Sequence, residues 1–258
     1  SGFSVDSYTS PHLVNFNERI KIGKNGYQED IDDVSLEEIL LECEHVNDGD
    51  PITIFELITA AAFLKFSNTK SDFLILETGL GGRLDATNVI KNPLVSVIPP
   101  IGIDHQQFLG DSVQEIASEK AGIIKDKCKT VLSYQDKNII PIFEDVITSR
   151  NNSSKIWNKD YFVTDNGEDF AYSDEKYQMS LPLPNLYGRH QIINAGAAIA
   201  AISAIDDIHI TRDSFAAGIT NAEWPARLDL LEIGPLHRHV PDGTEIWLDG
   251  GHNSHAAI

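Results

Sequence analysis

The 258-residue sequence lacks several features that mark particular classes of protein. Its only two cysteines, Cys43 and Cys128, lie too far apart in sequence to suggest a disulfide framework, which favours a reducing, cytoplasmic location. No apolar run approaches roughly 18 residues, so the sequence predicts no transmembrane helix. There is also no GxSxG nucleophile elbow, no Walker A sequence GxxxxGKS/T and no internal repeat of roughly 20–50 residues.

Basic residues are scarce as well. The sequence has 20 Lys and Arg against 39 Asp and Glu, a net charge of −19. Such a field repels phosphate backbones and anionic membranes, which argues against nucleic acid or a membrane as partner. A small anionic ligand remains compatible with this charge, provided that cations or a bound metal neutralise its site. At 41% hydrophobic and 23% charged residues, the composition is that of an ordinary globular protein.

Short apolar runs alternate with helical patterns along most of the chain. Buried strands alternating with helices predict an α/β fold, with a mostly parallel sheet flanked by helices. Between residues 161 and 180, polar and aromatic residues alternate, which predicts a small antiparallel excursion. The predicted strands cover 3–8, 73–76, 94–98, 130–133 and 245–249, of which 73–76 and 94–98 are expected to be buried on both faces; the predicted helices cover 51–66, 113–124, 191–205 and 213–219, and 151–154 is predicted to be a loop.

Glu77 opens the segment ETGLGGRLDATN, residues 77–88, directly after a predicted strand. Ligands bind at the carboxyl ends of strands in open α/β sheets, so a carboxylate here is well placed for a metal. The dinucleotide-binding interpretation is weak because GLGGRL lacks the third glycine of GxGxxG. A glycine-rich turn in which Glu77 makes only a structural hydrogen bond is the alternative.

His105 and Lys120 are two further candidates. His105 also follows a predicted strand, and adjacent parallel strands would place it on the same rim as Glu77, where the two could share a divalent ion. A structural histidine is the alternative. Lys120 lies on a predicted helix among small and apolar residues, so it is either a solvated surface lysine or a partly buried one that is open to covalent modification.

Other residues are less specific. The segment YTSPH, residues 8–12, ends the first predicted strand and reads equally well as a proline-containing turn. Arg227 follows an aromatic–proline corner, where it either pairs with an acid or clamps a phosphate. The histidine pairs 237/239 and 252/255 lack the further ligands of a zinc site at the required spacing, which excludes zinc.

A series of segments, taken in order, resembles the folylpolyglutamate synthase/dihydrofolate synthase family, a branch of the Mur ligases, and most closely its bacterial bifunctional type. The resemblance covers nearly the whole chain and implies a P-loop NTPase-like central domain of an ATP-dependent amide ligase with two Mg²⁺ ions. The segments are YTSPHL, FNERI, PITIFELITAAAF, LETGLGGRLDATNVI, IGIDHQQFLGDS, IASEKAGIIK, GRHQIINA, WPARLDLL and WLDGGHN.

The resemblance also implies roles for individual residues. An acid, dihydropteroate or a folate, would be phosphorylated by ATP and then attacked by the amine of L-glutamate. Lys120 would be carbamylated and, with His105 and Arg227, would take part in catalysis. The implied metal ligands are Ser10, Glu77, His105 and Lys120; the pterin contacts are Asp85 and Ala86; the nucleotide contacts are Asn194, Arg227, Asp249 and His252.

The chain departs from the family pattern in a few places. Ala226 replaces the glycine of WPGR, which matters only if that position needs a positive φ. The family's GTNGKGS-like P-loop is expected just before Phe3, and its C-terminal domain after His252 and Asn253. We therefore expect residues 1–244 to be the central domain without its P-loop, and residues 245–258 to be a hinge and the start of the C-terminal domain. We also expect the protein to be a monomer, and this fragment alone to be inactive. Another Mur-type ligase, or a non-catalytic nucleotide-binding protein that keeps the fold, remains an alternative.

Overall fold

The computed structural model describes residues 2–24 and 26–251. The chain divides into two compact units, with the boundary between Lys91 and Asn92. The predicted boundary between 244 and 245 is a different one, between the central domain and a hinge, and stays a prediction. No helix in the described part of the chain is both long enough and apolar enough to cross a membrane.

The first unit is a four-stranded sheet with two helices. The strand order is β3-β2-β1-β4, in which β1 runs parallel to β4 and antiparallel to β2. Its core residues include Tyr8, Ile20 and Ile58, each at most 2% exposed. The elements are β1 (Val5–Tyr8), β2 (Ile20–Lys24), β3 (Tyr27–Asp30), α1 (Asp33–Asn47), α2 (Ile54–Asn68) and β4 (Phe73–Leu76).

The helix predicted at 51–66 begins later in the structure, at Ile54. Thr53 caps it, since the Thr53 hydroxyl accepts from the backbone N–H of Glu56 while the Glu56 carboxylate accepts from the backbone N–H of Thr53. This capping box satisfies two backbone donors that the first turn of a helix leaves without partners. Pro51 therefore lies before the helix and not at its first position.

The expectation that strand 73–76 is buried on both faces is wrong. Leu74 is 39% exposed and Ile75 is 59% exposed. Within the described residues, β4 pairs only with β1 and forms an edge of its sheet. A four-residue apolar run does not reveal whether a strand is central or at an edge, because the sequence does not show which neighbours cover it.

The second unit is built around a three-stranded parallel sheet of order β5-β6-β7. A three-stranded antiparallel sheet of order β10-β9-β8 follows, which confirms the predicted excursion, and β11 pairs with β12. The elements are β5 (Val95–Ile98), α3 (Gln106–Leu109), α4 (Val113–Ala121), β6 (Lys129–Leu132), α5 (Ile140–Ser149), β7 (Ser153–Ile156), β8 (Phe162–Asp165), β9 (Asp169–Ser173), β10 (Gln178–Pro182), α6 (His190–Ala204), α7 (Arg212–Thr220), β11 (Asp229–Leu230) and β12 (Trp247–Leu248).

Both faces of the parallel sheet are covered. On β6, Val131 packs in the cluster that contains Ile199 of α6, whereas its neighbour Leu132 packs in the cluster that contains Ile116 of α4 and Phe143 of α5. Successive side chains of a strand point to opposite faces, so this division places helices on each side of the sheet. The predicted α/β class, with a parallel sheet flanked by helices, is confirmed.

Two further expectations about strands are wrong. Ser153 and Ser154, predicted to lie in a loop, begin β7, which pairs in parallel with β6. Polar residues are tolerated there because β7 is at the edge of its sheet. The strands that precede Glu77 and His105 were expected to be neighbours in one sheet, but β4 pairs with β1 and β5 pairs with β6.

Asp174 anchors a buried polar cluster in the second unit. Its Oδ2 accepts from Nζ of Lys155 at 2.9 Å, from the hydroxyl of Tyr172 at 2.9 Å and from the hydroxyl of Ser203 at 2.5 Å. Burial opposes the charged carboxylate, but the hydrogen bonds from Ser203, Lys155, the backbone of Tyr177 and Tyr172 prevail and lower the pKa of Asp174 to about 2. The cluster ties β7, β9 and α6 together.

Candidate functional site

Ser10 and Glu77 lie together at the carboxyl ends of two parallel strands. Tyr8 of β1 is in register with Leu76 of β4, and the backbone N–H of Glu77 donates to the carbonyl of Tyr8 at 2.9 Å. Two residues further on, the backbone N–H of Ser10 donates to Oε2 of Glu77 at 2.7 Å. The structural hydrogen bond that the sequence left open therefore exists, and it holds the carboxylate beside Ser10.

The glycine-rich segment after Glu77 is a tight turn with no helix, as expected from its weak dinucleotide motif. A Cβ on Gly79 would lie 2.2 Å from the ring of Phe55, and Gly81 has a φ of +69°. The carboxylate of Asp85 closes the turn by accepting from the backbone N–H of Leu80 at 2.8 Å and from that of Thr87 at 2.9 Å. Asp85 and the half-buried Ala86 are thereby held in fixed positions.

The hydroxyl of Tyr8, the last residue of β1, belongs to a fully buried side chain. It bonds to the hydroxyl of Thr59 at 3.0 Å in the core. Burial raises the pKa of Tyr8 and the charge of Asp85 adds to the rise, while Thr59 and the guanidinium of Arg19 oppose it. Arg19 lies near the carboxyl end of β1, because its carbonyl accepts from the backbone N–H of Thr9, the residue after β1, at 2.9 Å.

In the second unit, His105 has a left-handed backbone, with φ of +50°, at the start of α3. Its backbone N–H donates to Oδ1 of Asp104 at 2.7 Å, and its Nε2 lies 3.8 Å from Oδ2 of the same carboxylate. Non-glycine residues in this region of φ are uncommon and concentrate at functional sites. Sequence reasoning missed Asp104, although an acid directly before a candidate histidine was a usable signal.

Lys120 lies on α4, as predicted, in the last turn of the helix and half-buried. Ser112 caps the other end of α4, where its hydroxyl accepts from the backbone N–H of Glu115 at 3.3 Å. A lysine near a helix C-terminus interacts favourably with the helix dipole. The half-buried position matches the partly buried alternative, and covalent modification of Lys120 stays a prediction.

Three residues predicted to contact the nucleotide lie in the second unit: Asn194, Arg227 and Asp249. Asn194 is exposed on α6, and its Nδ2 donates to Oε1 of Gln191 at 3.0 Å. Asp249 accepts from the backbone N–H of Leu228 at 2.8 Å and from that of Gly251 at 2.6 Å. His252 lies outside the described residues.

Hydrogen bonds and nearby positive charges favour the charged form of Asp249. The N–H groups of Leu228 and Gly251 lower the pKa of Asp249, and the charges of Arg227 and His190 lower it further. The structure thus brings Asp249 close to Arg227 along the chain, because Leu228, which donates to Asp249, directly follows Arg227. Sequence reasoning missed His190, which was read only as part of the GRHQIINA segment.

A model of the Mur ligase middle domain matches residues 38–202 of the sequence. The chain belongs to this family. It is 33% identical over 267 residues to the dihydrofolate synthase/folylpolyglutamate synthase of Bacillus subtilis, covering 98% of this chain and 59% of the relative. The enzyme of the same name from Escherichia coli is 31% identical, covering 100% of this chain and 56% of the relative. The resemblance to this branch of the Mur ligases is confirmed.

Solved structures give the same result. E. coli FolC in complex with DHPP and ADP matches with a TM-score of 0.85 and 29% identity, over 99% of this chain and 57% of that chain. A bifunctional folylpolyglutamate synthase/dihydrofolate synthase with Mn, AMPPNP and L-glutamate bound matches with a TM-score of 0.82 and 28% identity, over 99% of this chain and 58% of that chain. The Mur ligase chain therefore spans less than two thirds of the length of these relatives.

The side chains available as metal ligands determine which ion this Mur ligase domain could bind. No three His, Cys, Asp or Glu side chains form a ready metal-binding group within residues 2–24 and 26–251. Mg²⁺ does not require one, because it is commonly held by one or two carboxylates together with waters and substrate phosphates. The Glu77 carboxylate and the Ser10 hydroxyl are oxygen donors of the kind that this ion prefers. Ser10 and Glu77 belong to the first unit and His105 and Lys120 to the second, and their joint role stays a prediction.

Proposed function

We propose that the protein containing this chain is an ATP-dependent ligase that joins L-glutamate to dihydropteroate, to a folate, or to both. The observation that carries the proposal is that similarity to enzymes of this name extends over 98–100% of the chain. The solved relatives support it further, because their bound molecules include ADP, DHPP, AMPPNP and L-glutamate.

The proposed reaction has two steps that balance. A carboxylate oxygen of the acid attacks the γ-phosphorus of ATP, the bond to ADP breaks, and an acyl phosphate forms. The amine of L-glutamate then attacks the acyl carbon, loses a proton to form the amide, and releases inorganic phosphate. Phosphorylation supplies the leaving group that a carboxylate lacks, and cations stabilise the charge that develops on the phosphates.

Different residues of this chain would bind the nucleotide and the pterin. Arg227 would bind the ATP phosphates, with Asp249 and His252 beside the nucleotide, and Asn194 would hold the adenine. Asp85 and Ala86, fixed by the turn after Glu77, would contact the pterin.

Ser10 and Glu77 would hold a divalent metal ion, with His105 and a carbamylated Lys120 completing two sites. Bound metal ions would neutralise phosphate charge and polarise the phosphoryl oxygens. The hydrogen bond between the backbone of Ser10 and Glu77 supports this assignment, because it fixes one oxygen of the carboxylate before any ligand arrives. In this role, Lys120 and His105 would act together with Arg227 in catalysis.

We further propose that residues 1–244 serve as the central ATPase-type domain and residues 245–258 as a hinge. We expect the protein to be cytoplasmic and monomeric, with no nucleic acid or membrane partner. The 258-residue chain alone is expected to be inactive.

The test is ADP release by the full-length protein, with dihydropteroate, a folate, L-glutamate and ATP omitted one at a time. The proposal predicts release only when an acid, L-glutamate and ATP are all present. Turnover with a different acid or amino acid would identify another Mur-type ligase. Nucleotide binding without any turnover would identify a non-catalytic protein, and both results would refute the proposal.

A further inference from the structure

Arg19 is held in place by two side chains of its own loop. Its Nε donates to Nδ1 of His12 at 2.9 Å, and its guanidinium carbon lies 5.4 Å from the centre of the Phe16 ring. The His12 ring packs against Phe16 with a centroid distance of 4.3 Å. The arginine is half-buried. A long side chain that normally samples many rotamers is therefore fixed by a hydrogen bond and by an aromatic face.

Among the residues that the structure describes, no carboxylate forms an ion pair with Arg19. Nδ1 of His12 accepts a hydrogen bond from Arg19, and a histidine side chain supplies no negative counter-charge. The adjacent carboxylate of Glu18 is engaged elsewhere, because it accepts from the backbone N–H groups of Leu13, Val14 and Asn15 at 2.7, 3.0 and 2.7 Å. Throughout the described part of the chain, the ion pairs do not include Arg19.

Arg19 also lies close to the site. The backbone N–H of Thr9, the residue before Ser10, donates to the carbonyl of Arg19 at 2.9 Å. The guanidinium and the Asp85 carboxylate both act on the Tyr8 hydroxyl. A fixed guanidinium with further N–H groups presents the planar donor pattern that binds a carboxylate through two hydrogen bonds.

We propose that Arg19 binds a carboxylate of the acid substrate. The inference rests on the proposed function and deepens it, since the comparisons and the sequence motifs assign no role to this residue. In a protein with a net charge of −19, an anionic substrate needs a local cation that no protein carboxylate neutralises. Arg19 meets this requirement at the carboxyl end of β1, beside Ser10.

The first test compares initial rates of the full-length protein with those of Arg19→Gln and Arg19→Lys. Lys21→Gln serves as the matched control, because Lys21 lies two residues further along and its ion pair with Asp30 is exposed. Arg19→Gln is expected to raise KM for the acid by about 10- to 100-fold, as for the loss of hydrogen bonds to a charged group. KM for ATP and Tm should change little, with Arg19→Lys intermediate and Lys21→Gln unaffected.

A second test does not depend on turnover, so its failure is distinguishable from failure of the proposed function. Binding of pteroate and of its uncharged carboxamide is measured by equilibrium fluorescence. The native protein should prefer the carboxylate, and Arg19→Gln should lose at least tenfold of this preference. An unchanged preference, or a KM that rises only for ATP or only for L-glutamate, would overturn the assignment.

Discussion

The backbone N–H of Ser10 donates to Oε2 of Glu77 over 2.7 Å, although the two residues are 67 positions apart in sequence. The parallel pairing of β1 with β4 creates this contact, because residues just beyond the ends of paired strands lie side by side. The pair joins two segments that the family resemblance assigned separately to metal binding.

Replacement of Glu77 tests whether its carboxylate does more than hold the loop. In Glu77→Gln the side-chain oxygen can still accept from Ser10, but the negative charge that a divalent cation requires is lost. We expect roughly a 100-fold loss of turnover by the full-length protein, with unfolding by urea little changed. Glu42→Gln, on the exposed side of α1, is the control and should leave turnover intact. Full activity in Glu77→Gln would contradict the assignment.

Gly196 tests the packing of α6 against β8. A Cβ at this position would lie 2.4 Å from Cγ2 of Val163, whereas a Cβ on Gly218 of α7 would meet nothing within 4 Å. Gly196→Ala should therefore destabilise the chain by about 1–3 kcal/mol, as for overpacking of a core. Gly218→Ala should stabilise it by up to about 1 kcal/mol, because alanine favours helix. Urea unfolding measures the stability of both variants, and an unchanged or increased stability of Gly196→Ala would show that α6 and β8 are not tightly packed at this position.

Ala226 carries backbone strain that its usual family residue would relieve. Its φ of +58° lies in the left-handed region, where an L-residue with a Cβ is disfavoured by about 1–2 kcal/mol. Ala226→Gly should stabilise the chain by roughly 0.5–1 kcal/mol, after the greater freedom of glycine in the unfolded chain is subtracted. The control, Ala217→Gly on the exposed side of α7, should destabilise by about 1 kcal/mol. Thermal unfolding measures both, and a loss of stability in Ala226→Gly would refute the strain.

Asp174 should govern the acid stability of the second unit. Its pKa is lowered from 3.8 to about 2, so its contribution is complete above pH 4 and is lost as the pH falls from about 4 to 2. The shift corresponds to about 2 kcal/mol of folding free energy. Asp174→Asn should lose this amount near pH 7 and should show a flatter dependence of stability between pH 4 and 2.

Asp206 supplies the matched control for this experiment. It pairs with Lys129, but its side chain is 83% exposed, and exposed ion pairs contribute little to stability. Asp206→Asn should therefore leave both stability and its acid dependence nearly unchanged in urea unfolding from pH 2 to 7. Equal effects of the two substitutions would contradict the special role of the buried carboxylate.

Much of the fold could be predicted from the spacing of apolar residues along the sequence. The parallel strands β5 and β6, the antiparallel excursion and helix α6 were predictable because their apolar residues recur at the spacing of a strand or a helix. Helix α1 was missed, because only Leu36 and Ile39 of its residues are buried and its charged residues obscure the pattern. The edge position of β4 was not predictable, because exposure depends on neighbours that are distant in sequence.

The residues of the candidate site were likewise only partly predictable from the sequence. Motifs identified Glu77, His105 and Lys120 because their residue types stand out after predicted strands or on a helix. Asp104 was not identified although it directly precedes His105, whereas Arg19 could not be identified, because its contact with His12 is visible only in the folded chain. Likewise, the conditional statement about Ala226 became a finding only when its φ was known.

We propose that the acid is activated by phosphorylation before L-glutamate attacks it. The most direct measurement uses an acid substrate labelled with ¹⁸O in its carboxylate, with mass analysis of the phosphate released by the full-length protein. Transfer of one labelled oxygen to each phosphate is predicted, because the acyl phosphate keeps that oxygen when its bond to carbon breaks. Unlabelled phosphate formed alongside the amide product would contradict the claim.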